Sequence, residues 1–424
     1  MQIIGYTAAA ALVSGLAAAQ SSHWVDIWTA MPQLTEPANL PPQPFNSSSA
    51  IFLNTTIRQT LRLTHPASTI RLRLSNAFGV DDLDVANVSL ALPLQNELGA
   101  SVIVPDTVQP ILFDGFDSII IPLGSLAVSD PIQLPSTQLN TTITVDIYLA
   151  DGQSGGAITS HPGSRTTSWM QFGNSIGITD FTDPSVASVE HWYFISTVEA
   201  YLPNTVKACA LLGDSITDGR GSDNNKNNRW PDLLLTRMQS TDSNAALSQI
   251  PLLNQAAGGN RILHDSLGPS LLSRIDRDVL AHTQVHWAIL FEGVNDIGTA
   301  DTSPTNQTVT GDRLIRAYRQ IVTRLHAGGI PVFGATITPF GTPANASVVQ
   351  PYSDPEREWT RQRVNAFIRE SGLFDAVLDF DAVLRDPEDP AVLRAEFDSG
   401  DHLHPNVKGY EALAGSVDLG IFSR

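Results

Sequence analysis

Cysteine is nearly missing: Cys209 is the one thiol in 424 residues. It cannot form an internal disulfide, so stability has to come from core size and not from covalent staples. It lies in the apolar stretch "KACALLGD" and reads as a small buried residue. Basic residues are also scarce, with 25 Lys and Arg against 43 Asp and Glu and a formal net charge of −18. This balance argues against nucleic acid and anionic membrane surfaces as partners. No segment beyond the N-terminus is long and apolar enough to span a bilayer, and neither an internal repeat nor a low-complexity linker is found. What remains is a globular composition, 42% hydrophobic and 16% charged, at a length that leads one to expect two domains.

The first residues, "MQIIGYTAAAALVSGLAAAQ", are apolar and uncharged and end in small side chains at Ala17, Ala18 and Ala19. They read as a secretory signal peptide over residues 1–19. Six Asn-x-Ser/Thr sequons, at Asn46, Asn54, Asn87, Asn140, Asn306 and Asn345, accord with a secreted, glycosylated protein.

Residues 20–205 carry strand patterns. "TIRLRLSNAFG" (69–79) and "TTITVDIYLADG" (141–152) alternate at period two, and Pro, Gly, Asn and Asp clusters separate such runs. A β-sandwich-like accessory domain is expected there. From residue 206 to 424 the texture changes. "ACALLGD", "HWAILFEGVND" and "IPVFGATITPF" are short continuous apolar runs, as in strands buried on both faces. Between them, "DRLIRAYRQIVTRLHAGG", "DPEREWTRQRVNAFIRESG" and "NVKGYEALAGSVDLG" have helical periodicity. Alternating strands and helices predict an α/β domain with a parallel sheet, its site at the strands' C-terminal ends. Gly213 to Ser215, Asn295 and the turn after Thr338 fall at such ends.

Ser215 follows the first of these strands and precedes a helix expected near Pro231. A serine there is either turn chemistry or a nucleophile. A nucleophile needs a base, and "DSGDHLHPNVKGY" offers His404 with Asp401 three residues earlier, a spacing that lets the carboxylate reach Nδ1 and leave Nε2 free. The same loop also reads as a solvated turn, or as a weak metal site of Asp401, His402 and His404. Oxyanion donors are offered by Gly259 in "NQAAGGNRIL" and by the Asn295 amide in "FEGVNDIG", which otherwise serve as a turn and a cap. Two G-x-S-x-G matches, "GQSGG" with Ser154 and "GNSIG" with Ser175, lack the strand and helix that a nucleophile elbow requires.

In this order, "GDSITDG", "GGN", "GVNDIG" and "DHLHP" resemble the four blocks of the SGNH hydrolase superfamily, the GDSL-type esterases and lipases. The resemblance covers roughly residues 206–424. "DGRGSDNNKNNRWPDLL", "GGNRIL" and "LGPSLLSRIDRDVL" look like a branch of secreted esterases with a β-rich domain in front, some of them associated with xylan degradation. It implies a flavodoxin-like three-layer α/β/α core, and a serine esterase that uses no cofactor and no metal. It further implies Ser215 as nucleophile, His404 as base, Asp401 as its orienting acid, and Ser215 N–H, Gly259 N–H and the Asn295 amide as the oxyanion hole. The polar loop "TDGRGSDNNKNNRW" after Ser215 is expected to line the site. That points to short acyl groups, acetyl above all, on a polar partner such as a cell-wall polysaccharide. A lipase or arylesterase, and a non-catalytic carbohydrate-binding protein on a hydrolase fold, are the competing readings.

Overall fold

A computed structural model describes residues 21–134, 138–240 and 245–423 of the chain. The signal-peptide stretch 1–19 lies outside the described residues.

Residues 22–203 form antiparallel sheets. In one, Ser22–Thr29 pairs with Ile195–Pro203, which pairs with Thr69–Ser75; the short strands Leu126–Val128 and Ile132–Gln133 complete it on Thr69–Ser75. A six-stranded sheet has Thr55–Arg62 and Thr142–Leu149 side by side at its centre. The expected alternation explains the packing. Ile143, Val145, Ile147 and Leu149 join Ile57, Leu61, Val25, Ile27, Leu72 and Leu74 in one core, as inward faces of a sandwich do. The other face of Thr142–Leu149 is also covered. There Arg58 makes a buried two-toothed ion pair with Asp146, both contacts at 2.8 Å, and its guanidinium lies 4.3 Å from the Phe181 ring centre. Polar residues alternate on this strand because they serve a second, ion-paired interface.

The second half begins with β1 (Ala208–Gly213), followed by β2 (Leu252–Asn254), β3 (Val285–Phe291), β4 (Val332–Ala335) and β5 (Ala376–Leu378). All pairings are parallel, in the order β2-β1-β3-β4-β5, which is the flavodoxin-like order. Cys209 to Leu212 are almost fully buried, which accounts for an unbroken apolar run; each such large side chain contributes about 1.5–3 kcal/mol. The helices are α1 (Ser215–Asp218), α2 (Trp230–Gln239), α3 (Leu271–Ile275), α4 (Val294–Thr299), α5 (Pro304–Ala327), α6 (Pro355–Glu370), α7 (Phe380–Leu384) and α8 (Val407–Ser416). α2 packs on α8 and α8 on α7, whereas α5 packs on α3 and α6. Right-handed crossovers require this division: the chain moves one way from β1 to β2 and the other way afterwards, so the helices fall on opposite faces. The reversal opens a crevice at the C-terminal ends of β1 and β3.

Two boundaries differ from the sequence expectation. The helix expected near Pro231 is α2, but Ser215 itself opens the short helix α1, capped by Asp214, whose carboxylate accepts from Ile216 N–H at 3.0 Å. α5 starts at Pro304 and not at Asp312, because Ser303 caps it and Pro304 suits a first turn.

The two halves share a wide contact. Ser22–Thr29 packs beside β2, with Thr29 Oγ1 donating to Asn254 O at 3.2 Å. Asp26 accepts from His282 Nδ1 and from Thr283.

Candidate active site

Ser215 is placed by the end of β1. Gly213 leaves no room for a side chain: a Cβ there would come within 2.5 Å of Thr217 Oγ1 and 2.8 Å of Phe291 O. The chain therefore passes close to β3 before turning into α1. His404 arrives from the loop before α8. Its Nε2 lies 2.8 Å from Ser215 Oγ, and its Nδ1 lies 2.6 Å from Asp401 Oδ2. With Nδ1–H donating to the carboxylate, Nε2 has a lone pair for the Ser215 hydroxyl proton. Burial would raise Asp401, but hydrogen bonds from the His404 ring and from the Leu403 and His404 N–H groups outweigh it and hold the carboxyl well below its usual range. Such a chain can take the serine proton and return it to a leaving group.

His402 does not join it. Its Nδ1 faces Asp398 at 2.5 Å, so the neighbouring histidines are held by different carboxylates. Among the described residues no group of three or more His, Cys, Asp or Glu is placed to hold a metal ion. The two G-x-S-x-G serines are engaged elsewhere: Ser154 Oγ donates to Asp81 at 2.7 Å, and Ser175 Oγ accepts from Gln171 at 2.6 Å. No helix follows either one.

Asn295 sits in the first turn of α4 and is not a cap. Its Oδ1 accepts from Tyr352 OH at 3.0 Å, and one N–H of its amide donates to Asn260 O at 2.9 Å. These two bonds orient the amide and leave its second N–H available. Gly259 has φ +72°, and a Cβ there would come within 2.3 Å of Leu267 Cδ1, so the turn needs glycine. Neither Ser215 N–H nor Gly259 N–H has a hydrogen-bond partner among the described residues. Ser215, Gly259, Asn295 and His404 all line one open cleft of about 540 Å³. The loops carrying them are tied together beneath it. Asp296 accepts from Ile262 N–H at 2.8 Å and Leu263 N–H at 3.0 Å, and buried Asn260 accepts from Arg274.

Buried carboxyls surround this base. Burial pushes Asp214 up to about 7 against the pull of the Ile216 N–H, with Asp296 and Asp218 adding to the rise. Burial likewise pushes Glu292 up to about 8 despite Arg274 at 3.5 Å.

Residues outside the four sequence blocks complete the site. Tyr352 comes from the long loop between β4 and α6. That loop's length without regular structure was the one available signal, since loops of this kind are commonly functional. From the first half come Gln33, Glu36, Asn39, Gly163 and Arg165, which form one wall of the cleft. His161 from the same half places Nε2 2.9 Å from Asp218 at the end of α1 and Nδ1 3.1 Å from Met31 O. No local pattern marks these residues, because only the docking of the two halves brings them to Ser215. The expectation that the whole loop "TDGRGSDNNKNNRW" lines the site needs correction. Asp218 and Arg220 do, but Asn227 and Arg229 face a separate small cavity, and Asn225 clamps the first half by bonding Thr167.

With this geometry in hand, residues 211–412 match the GDSL-like lipase/acylhydrolase family. That stretch, just under half of the chain, thus resembles an SGNH hydrolase domain of the GDSL type, and the parallel sheet with its helices fits such a core. No curated protein matches the chain. Solved structures similar to it include an acetyl xylan esterase, AlAXEase, at 19% identity over 49% of this chain and 96% of that one, TM-score 0.37. A catalytic mutant of an acetylxylan esterase from Geobacillus stearothermophilus is 18% identical over 50% and 91%, TM-score 0.36. A GDSL-like lipase from Bacteroides thetaiotaomicron is 14% identical over 51% and 88%, TM-score 0.35.

Proposed function

We propose that this hydrolase is a secreted serine esterase that cleaves short-chain carboxylic esters, acetyl esters foremost, from a polar partner such as plant cell-wall polysaccharide. The observation that carries the reading is the 2.8 Å contact of Ser215 Oγ with a His404 ring whose other nitrogen is held by Asp401. Ser215 Oγ attacks the ester carbonyl carbon as His404 Nε2 takes its proton. The carbonyl oxygen becomes an oxyanion, with Ser215 N–H, Gly259 N–H and the free Asn295 amide N–H as its donors. His404 gives the proton to the departing alkoxide, so the alcohol leaves and the acyl group stays on Ser215. Water, deprotonated by the same ring, then releases the acid. Asn295→Ala is expected to lower kcat by roughly 10²–10³ with little change in KM, because the donor acts mainly on the transition state. An effect confined to KM would make Asn295 a substrate-binding residue instead.

Acyl length is read from the cleft. Gln33, Glu36, Asn39, Arg165, Arg220 and Gln350 face it and interrupt an apolar lining that comes from Pro162, Leu267, Pro351, Tyr352 and Leu403. A long acyl chain gains about 0.8 kcal/mol per methylene only where an apolar channel receives it. Rates are therefore expected to fall from aryl acetate through butyrate to long-chain esters, with acetate released from acetylated xylan. A rate that climbs beyond butyrate, with no acetate from xylan, would favour a lipase. In this reading residues 1–19 are a signal peptide, 20–205 an accessory domain that forms one cleft wall, and 206–424 the catalytic domain. None of the six sequon asparagines is buried, which supports glycosylation during secretion. The intact mass of the exported protein before and after endoglycosidase treatment checks both the cleavage and the glycans.

A further inference from the structure

Arg165 differs from the fully buried arginines. Arg58 pairs with Asp146, Arg274 with Asp278, and Arg361 with Asp381 and Glu358. Arg165 is half-buried on the cleft wall contributed by the first half, and its guanidinium has no carboxylate or hydrogen-bond acceptor among the described residues. Its Nε is closed off from water and unpartnered. The acids of the same cleft are engaged with other groups: Glu36 with Gln33 and Asn39, Asp218 with His161, and Asp401 with His404. In a chain of net charge −18, an unanswered guanidinium beside so many carboxylates is not explained by a shortage of partners.

The backbone holds Arg165 in place at a cost. Its φ is +51°, a left-handed conformation that is strained for an arginine. It persists because the surroundings determine it. Arg165 O accepts from Asn225 N–H at 2.8 Å, and Thr167 N–H donates to Asn225 Oδ1 at 2.8 Å. Ser164 Oγ accepts from Thr166 N–H at 3.1 Å. The strained turn is thereby fastened to the loop that follows Ser215. Arg220, 64% exposed and only 4.0 Å from Asp401 at its nearest contact, lines the same cleft. Its own carbonyl accepts from Tyr410 OH.

From this juxtaposition we infer that Arg165, assisted by Arg220, forms a subsite for a carboxylate carried by the ester substrate, so that the preferred substrates are acidic. The inference rests on the esterase reading above and deepens it. A planar guanidinium satisfies a carboxylate with two parallel hydrogen bonds, and partial burial strengthens them. The carboxylate has two possible sources, an acidic sugar on the alcohol side of the ester or a dicarboxylic acyl group.

The test compares kcat/KM for acetylated oligogalacturonides against acetylated xylo-oligosaccharides, and for an aryl hemisuccinate against an aryl butyrate. Wild type, Arg165→Gln and Arg165→Lys are measured, with thermal melting to verify folding. For one of the two pairs, the acidic-over-neutral ratio is expected to fall about tenfold or more in Arg165→Gln. Arg165→Lys should fall between, since it keeps the charge and loses the fork. High salt should depress the ratio in wild type and less in the glutamine variant. The pair that responds identifies the source of the carboxylate. Equal losses on acidic and neutral members, or no change in either ratio, would overturn the subsite. Galacturonate and succinate titrated into Ser215→Ala, with and without Arg165→Gln, separate this failure from failure of the esterase reading. Binding of either that vanishes with Arg165 supports the subsite even if no ester is cleaved. Binding of neither, or binding indifferent to Arg165, overturns it.

Discussion

Ser215→Ala is expected to reduce kcat by roughly 10⁴–10⁶ and to abolish labelling by a fluorophosphonate, while the melting temperature stays close to that of the parent protein. The loss is large because Ser215 Oγ is the atom proposed to form the acyl bond, and among the described residues no other serine or threonine lines the cleft. Ser154 and Ser175 are bonded to Asp81 and Gln171 within the antiparallel half, so Ser154→Ala and Ser175→Ala should keep most of the rate. The fold is spared because one small atom is removed at the edge of an open cleft, where water can occupy its place. Near-normal hydrolysis by the alanine variant, or label that persists on it, would show that the nucleophile lies elsewhere.

The second large effect separates two histidines two residues apart. His404→Ala should lose roughly 10⁴-fold in kcat or more, because among the described residues His404 is the group hydrogen-bonded to Ser215 Oγ that can both take its proton and return it to the leaving alkoxide. His402 is the control. It faces Asp398 and has φ +62°, so asparagine, which tolerates that conformation, is a better replacement than alanine. His402→Asn should remain within a few-fold of wild type. Prolonged dialysis against a chelator should leave the rate unchanged. Comparable losses in both histidine variants, or activity removed by the chelator and restored by a divalent ion, would return this loop to the metal-site reading. The depressed Asp401 also sets the acid side. Its folded-state value lies below that of the unfolded chain, so its contribution to stability is present above about pH 4 and is lost as the pH falls through the folded value. Asp401→Asn should flatten that acid limb in a stability titration.

The parts of this protein that were legible in its sequence are those governed by local physics. Period-two alternation identified Thr69–Ser75 and Thr142–Leu149 as strands, because successive side chains point to opposite faces: the polar face of the first is partly exposed, and that of the second meets a covered, ion-paired interface. Unbroken apolar runs identified β1, β3 and β4, because a parallel strand covered by helices on both sides has no polar face. Ser215, Gly259, Asn295, Asp401 and His404 were legible as candidates, each from a short motif; the structure brings all five to one cleft, with Ser215 and Asn295 in the first turns of α1 and α4.

Tertiary structure alone decided the rest. The order β2-β1-β3-β4-β5, and with it the crevice that receives Ser215 and Asn295, depends on which strands pair, and pairing is non-local. Tyr352 orients the Asn295 amide across 57 residues, and His161 reaches Asp218 from the opposite half of the chain. Arg165 acquires meaning only because its strained turn is docked beside the nucleophile loop. Sequence by itself therefore determined the elements and the candidate reacting groups, each marked by a short local motif, while the 189-residue span between Ser215 and His404 is closed only by the fold. The docking of the two halves determined the cleft wall and its charge, because a contact between distant segments leaves no period or spacing in either of them.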